Sequence, residues 1–223
     1  MTENPGRATF PPEVRHELDG WVLWWADLAV RPGADAALAA LRAEAARRAR
    51  ASHSLEGLAV HPTAAAVRRL FRQAGCDPTR HRPSSEALLR RVLKGEVLPA
   101  IHPLVDLNNC LSVELAVPSC VMALGSAAPP FTLRAGAPGE SMLSMRGPYE
   151  LHGKPLLADA GGPFGTPITD SERVRVLPAT RRAWLVAYLP ASVVDEGCAA
   201  AALGALLAGA PAAELLAASA SSR

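Results

Sequence analysis

Lysine is nearly absent from this chain: among 223 residues it occurs only as Lys94 and Lys154, and arginine carries almost all of the positive charge. The 23 basic residues face 21 acidic ones, a formal net charge of +2, so a nucleic-acid footprint must be a local patch and not a property of the whole surface. Cysteine is sparse. Cys76, Cys110, Cys120 and Cys198 form no C-x-x-C pair, and no histidine cluster lies beside them at zinc spacing. A structural zinc site is therefore not expected, and no metal or cofactor is implied. The opening residues, MTENPGRATF, hold an acid and a proline and no apolar run, unlike a secretory signal. One long uncharged stretch, residues 197–213, is mostly alanine and glycine with Pro211 inside it. It falls short of the roughly 20 strongly apolar residues of a spanning helix and reads as a core helix. The expectation is a cytoplasmic protein with reduced thiols and no membrane partner.

What is present suits a folded domain. The chain is 49% hydrophobic and 20% charged, which excludes a disordered or collagen-like protein. Residues 21–30 (WVLWWADLAV) read as a buried strand between Gly20 and Pro32. Alanine-rich residues 35–50 read as a helix, followed by helices over 63–74, with Thr63 as a candidate cap, and 85–94, with Ser84 as its candidate cap. Leu107, Leu111 and Leu115 form an i, i+4 stripe that predicts a further helix over 104–116, ended by Pro118. Short apolar runs then alternate with Gly/Pro turns and predict strands over 131–135, 141–146, 155–158, 173–177 and 183–189. A helical tail follows from Ser192, broken at Gly209-Ala210-Pro211. With no internal repeat and no long linker, residues 1–223 read as one α+β domain. Its parts are an N-terminal strand and helix (1–60), a central region (61–190) and a helical tail (191–223).

The segment LVDLNNCLSVELAVPSCVMALG, residues 104–125, resembles the B3/4 editing domain of the bacterial phenylalanyl-tRNA synthetase β subunit. Three further features agree in order: Arg134-Ala135 followed by Gly139-Glu140, then Leu157-Ala158-Asp159, then Thr180 ahead of the last strand. The likeness covers about residues 60–190, of which 67–103 look like the leader of free-standing versions. It implies a three-layer β/β/α fold with a helical leader and tail. It also implies hydrolysis of tRNA charged with the wrong amino acid. Because the chain carries no aminoacylation module or ATP-binding signature, the resemblance implies a factor acting in trans. Its partner would be mischarged tRNA, with or without a synthetase, and not DNA. The alternative is a non-catalytic module that binds tRNA or an amino acid beside a synthetase.

The resemblance also marks a site. Asn109 falls on the family's asparagine and Asn108 on the neighbouring threonine, although asparagine also caps helices and makes turns. Cys120, two residues after Pro118, stands where the family has histidine in P-x-H-A. It reads as pocket lining more than as a nucleophile, because no cation nearby in sequence would lower its pKa. Glu172 aligns with a family glutamate that selects hydroxylated amino acids. The loop FGTPITDSERVRV differs in length, so Asp170 competes for that position and a solvated surface acid stays open for Glu172. Asn109, Cys120 and Glu172 are thus the candidate catalytic residues, and Asn108, Pro118 and Asp170 the candidate pocket. Glu114 and Glu140 read as structural.

Residues 68–94 hold eight basic side chains against Asp77 and Glu86. Within that excess, Arg68, Arg69, Arg72, Arg90, Arg91 and Lys94 are the candidate RNA-binding residues, with a solvated helix face as the alternative.

Overall fold

The computed structural model describes residues 9–221. In chain order it contains β1 (Val14–His16), β2 (Trp21–Val30), α1 (Asp35–Ser52), α2 (Pro62–Gln73), α3 (Ser84–Leu93) and α4 (Pro103–Leu115). Then come β3 (Ser119–Ala123), β4 (Phe131–Ala135), β5 (Ser141–Ser144), β6 (Gly147–Glu150), β7 (Pro155–Asp159) and β8 (Gly162–Gly165). The chain closes with β9 (Arg182–Pro190), α5 (Glu196–Gly209) and β10 (Ala213–Ala220). Two four-stranded sheets result, in the orders β1-β4-β7-β8 and β10-β2-β9-β3, with a separate β5-β6 hairpin.

β2 explains why its sequence is apolar without alternation. Trp21, Leu23 and Trp25 face a core shared with the other sheet, while Trp24, Ala26 and Leu28 face the helices. β9 is split in the same way: Trp184, Val186 and Tyr188 point to the inter-sheet core, and Ala183, Leu185, Ala187 and Leu189 to the helical side. A strand buried on both faces takes apolar side chains at nearly every position, and the exception in β2, Asp27, is paired with Arg182 at 2.6 Å. Helices α1, α3, α4 and α5 cover the second face through Leu38, Leu89, Leu107 and Leu203. The molecule is therefore an α+β stack of three layers, β/β/α.

Several local expectations are corrected. Neither Thr63 nor Ser84 caps a helix: α2 opens with a proline in its first turn after His61, and α3 follows Pro83 with no side-chain cap. Residues 173–177 form no strand but follow from a 3₁₀ turn, Glu172–Val174. The run 141–146 is strand only to Ser144, then turns into β6. The tail is helical only to Gly209, after which Ala213–Ala220 is a strand. Its sequence, AELLAASA, favours helix, but antiparallel pairing along β2 overrides that preference. The helix over 104–116 ends at Leu115 because Ala116 takes a left-handed conformation (φ 56°), which turns the chain toward β3 before Pro118 is reached.

Candidate functional site

The central strand β9 and its neighbour β3 set up the site. Cys120 pairs with Val186 across the ladder, so both face the inter-sheet core, and Tyr188 lies two residues further along the same face of β9. Opposite them, β8 ends at Gly165. A tight turn follows, held by Thr166: its Oγ1 accepts from the backbone N–H groups of Ile168 (3.1 Å) and Thr169 (2.9 Å) and donates to the Thr169 carbonyl (2.8 Å). The Pro167 carbonyl accepts from Ser84 N–H at 2.9 Å, which ties this turn to the start of α3. The turn returns the chain so that Asp170 bridges back to Gly165.

Three side chains from three elements therefore meet at one glycine. A Cβ on Gly165 would stand 3.3 Å from Asp170 Oδ1, 3.8 Å from Cys120 Sγ and 3.8 Å from Tyr188 Oη. Gly165 does not adopt a positive φ, so its lack of a side chain matters here for space and not for backbone freedom. Tyr188 and Cys120 are 0% and 2% exposed. Asp170 is half-buried, with its Oδ1 shielded from solvent.

The electrostatics follow from burial. Desolvation pushes the Asp170 carboxyl up from its ordinary 3.8 to about 7, against a smaller opposing effect of the Cys120 thiol. Desolvation, reinforced by the Asp170 charge, holds the Cys120 thiol well above its ordinary value. Tyr188 is raised well above the phenol range for the same first reason. Near neutrality the thiol and phenol are thus uncharged donors, and Asp170 alone changes protonation. A neutral buried thiol is a poor nucleophile. The Asp170 Oδ1 and Tyr188 Oη make no well-formed hydrogen bond in the protein, and the buried Trp25 and Trp184 Nε1 of the same inter-sheet core also have none. Buried polar atoms usually find a partner in protein or ordered water.

The other site candidates fall in different places. Asn108 is buried on α4; its Nδ2 donates to the Ser119 carbonyl (3.4 Å) and its backbone carbonyl accepts from Ser119 Oγ (3.3 Å). It fastens α4 to the strand that carries Cys120. Asn109 is 9% exposed on the same helix, and among the described residues its side chain finds no hydrogen-bond partner. The Pro118 carbonyl accepts from Tyr188 N–H at 2.9 Å, aligning β3 with β9 at the site. Glu172 does not join Cys120 at Gly165: it sits on the 3₁₀ turn, pairs with Arg175 at 3.3 Å, and its side chain is 35% exposed. Of the two acids in that loop, the turn at Thr166 delivers Asp170.

Tyr188 and Gly165 escaped the reading of the sequence. The available signal was the alternation Trp184, Val186, Tyr188 on one face of a buried strand, where a tyrosine hydroxyl requires a partner. The two glutamates read as structural are ion-paired. Glu140 is held bidentately by Arg134 (2.6 and 2.8 Å), and Glu114 lies 3.2 Å from Arg48.

The basic leader is partly consumed internally. Glu86 is 2% exposed and receives Arg68 at 2.8 Å, Arg90 at 3.0 Å and Arg82 at 3.5 Å. Arg91 pairs with Glu96 at 2.9 Å, and Arg69 donates to Ser192 Oγ at 3.2 Å. Among the described residues, Arg72 and Lys94 have no ion-pair partner within 4.0 Å. Also among the described residues, no group of three or more His, Cys, Asp and Glu side chains gathers as a metal would require, and no helix is long and apolar enough to cross a membrane.

Residues 66–199, more than half of the chain, match the family model of the B3/4 domain. No curated protein matches the chain.

Proposed function

The chain belongs to the B3/4 domain family, the domain found in the phenylalanyl-tRNA synthetase β subunit, and from that premise we propose that it is a cytoplasmic aminoacyl-tRNA deacylase that clears mischarged tRNA in trans. The observation that carries this reading is the convergence of Asp170, Cys120 and Tyr188 on Gly165, with Asp170 Oδ1 and Tyr188 Oη making no well-formed hydrogen bond in the protein.

An aminoacyl ester is already activated. The site need only hold it, place a water molecule and meet the charge that develops on the carbonyl oxygen. Asp170, ionised in part near neutrality, takes the proton of the attacking water as the new bond to the carbonyl carbon forms. Tyr188 Oη donates to the carbonyl oxygen as it gains charge. The ester C–O bond then breaks, and the proton passes to the departing ribose oxygen. Cys120 lines the pocket as a neutral thiol. Asn108 fastens α4 to β3, and the Pro118 carbonyl keeps β3 in register with β9. Glu172 stays outside the proton chemistry. Arg69, Arg72, Arg91 and Lys94 hold the RNA backbone, while Arg68 and Arg90 serve chiefly to neutralise Glu86.

A second reading, a non-catalytic amino-acid- or tRNA-binding module associated with a synthetase, is favoured by the depth of Cys120 and Tyr188. Incubating the protein with a panel of tRNAs, each charged with a wrong amino acid, separates the two. Catalytic loss of ester from at least one of them supports the deacylase. Stoichiometric binding with every ester intact supports the binding module.

A further inference from the structure

Of the three side chains that meet at Gly165, Cys120 and Tyr188 are buried in the sheet, and only Asp170 keeps more than a trace of exposed surface. A substrate that reaches the site must therefore pass Asp170, so whatever flanks that residue forms the mouth. On one side the Pro167 carbonyl ties the turn to Ser84, at the end of a loop that carries exposed Arg80 and Arg82. On the other stands the β5-β6 hairpin, which belongs to neither large sheet. Ser144, the last residue of β5, forms an antiparallel bridge with Ser171, the residue after Asp170.

That bridge fixes how the hairpin faces the site. In an antiparallel ladder, the residues on either side of a pair are themselves opposite one another. The pairing of Ser144 with Ser171 thus sets Met145 across from Asp170 and Leu143 across from Glu172. Burial alternates along this strand: Met142 and Ser144 are buried, whereas Leu143 and Met145 are 59% and 45% exposed. The Ser144 hydroxyl donates to the Gly147 carbonyl (2.8 Å) and accepts from the Arg146 N–H (3.2 Å), which holds the tip in place. The Arg146 side chain is exposed and, among the described residues, has no ion-pair partner. Arg68, Arg134 and Arg182, by contrast, are each engaged by an acid.

An unpaired guanidinium beside two exposed apolar side chains suits a ligand that joins an anion to an apolar face. A nucleotide is such a ligand, with a phosphate for the arginine and a base to lie on the apolar pair. The loop on the other flank offers charge alone, since its Pro78 and Pro83 are buried. We infer that the hairpin tip is the subsite for the 3′-terminal nucleotide of the RNA, with Arg146 on its phosphate and Leu143 and Met145 under its base. This rests on the deacylase reading, in which the scissile ester joins the amino acid to the ribose of that nucleotide. With the ester carbonyl at Asp170 and Tyr188, the ribose stands at the mouth, beside Met145.

The test compares two RNAs that differ by that nucleotide alone: an uncharged tRNA, and the same tRNA with its 3′-terminal nucleotide removed. Binding is read by fluorescence anisotropy at fixed salt, with circular dichroism as the check on folding. Wild type is expected to bind the complete RNA roughly tenfold tighter, the worth of one charge-assisted contact. Arg146→Ala is expected to bind the two alike, and Arg146→Lys to keep part of the difference, because the charge stays while the fork is lost. Met145→Glu, which sets a carboxylate under the nucleotide, should also erase it. A wild-type protein that binds the two RNAs alike overturns the inference, as does a folded Arg146→Ala protein that keeps the full difference. Ester loss from the charged panel is scored separately. Its absence beside an intact wild-type difference removes the deacylase reading and leaves the nucleotide subsite. Its presence with no difference in binding removes the subsite alone.

Discussion

Gly165 and Asp170 bridge each other across the turn that Thr166 closes, and this bridge brings Asp170 Oδ1 to 3.3 Å from the point where a Gly165 Cβ would stand. The relationship links loop geometry to chemistry: the same turn that shields the carboxyl oxygen aims it at the thiol of Cys120 and the hydroxyl of Tyr188.

Asp170 titrates at about 7 in the folded chain, and near its ordinary 3.8 once unfolded. Between these values the folded chain holds a proton that the unfolded chain has lost. Stability therefore falls as pH rises through that window and is level above it. Asp170→Asn, which mimics the protonated acid, should be more stable than wild type above the window by on the order of 2–4 kcal/mol, lessened by the half-exposure of the residue. The gain should vanish at the acid end. Chemical denaturation of both proteins at several pH values checks this, and a difference independent of pH would contradict it.

Cys120→Ala should leave turnover within about tenfold, roughly 1.4 kcal/mol in barrier, while changing which amino acid is removed. The physical ground is that burial keeps the thiol protonated. Single-turnover rates on several mischarged tRNAs measure both effects. A loss of several orders of magnitude with substrate binding intact would make the thiol a reacting group.

Gly165→Ala tests the meeting point directly. The backbone there suits alanine, so the fold should persist, but the methyl group would crowd Asp170 Oδ1. Hydrolysis should fall by on the order of tenfold, because the carboxyl must give by a few tenths of an ångström where a full ångström of misplacement costs roughly 100-fold. Glu172→Ala, by contrast, should retain the rate within a few-fold, since its carboxylate pairs with Arg175 near the surface. A reversed order of the two effects would restore Glu172 to the site.

The arginines of the leader should divide into two groups. Arg68→Ala strips one of three partners from buried Glu86 and should cost on the order of 1–2 kcal/mol of stability, less than leaving the charge unpaired, because Arg90 and Arg82 remain beside it. Arg72→Glu and Lys94→Glu should leave stability nearly unchanged. Each should flatten the log-log dependence of tRNA affinity on salt by somewhat under ~1 for every lost phosphate contact. Salt slopes equal to wild type would mean that the RNA docks elsewhere.

Much of this architecture was legible in the sequence. The continuous apolar run of residues 21–30 announced a strand buried on both faces, and the leucine stripe of residues 104–116 announced α4. What escaped was set by tertiary pairing. AELLAASA forms a strand only because β2 offers an edge to pair with, and no local propensity records that offer. The site divided along the same line. Cys120 was visible as a departure from the family pattern, but the choice between Asp170 and Glu172 depended on a turn closed by one threonine side chain. Tyr188 entered only through the ladder that sets it beside Cys120, 68 positions away in the chain.

The most direct test of the account is the pH dependence of single-turnover ester hydrolysis, using whichever mischarged tRNA the panel identifies, with wild type beside Asp170→Asn. The wild-type rate should climb with pH and level off with a midpoint at about 7, as the Asp170 carboxyl ionises. Asp170→Asn should bind the same tRNA and lose at least roughly 100-fold in rate, with the inflection gone. A variant that hydrolyses at the wild-type rate with the same pH profile would contradict the account.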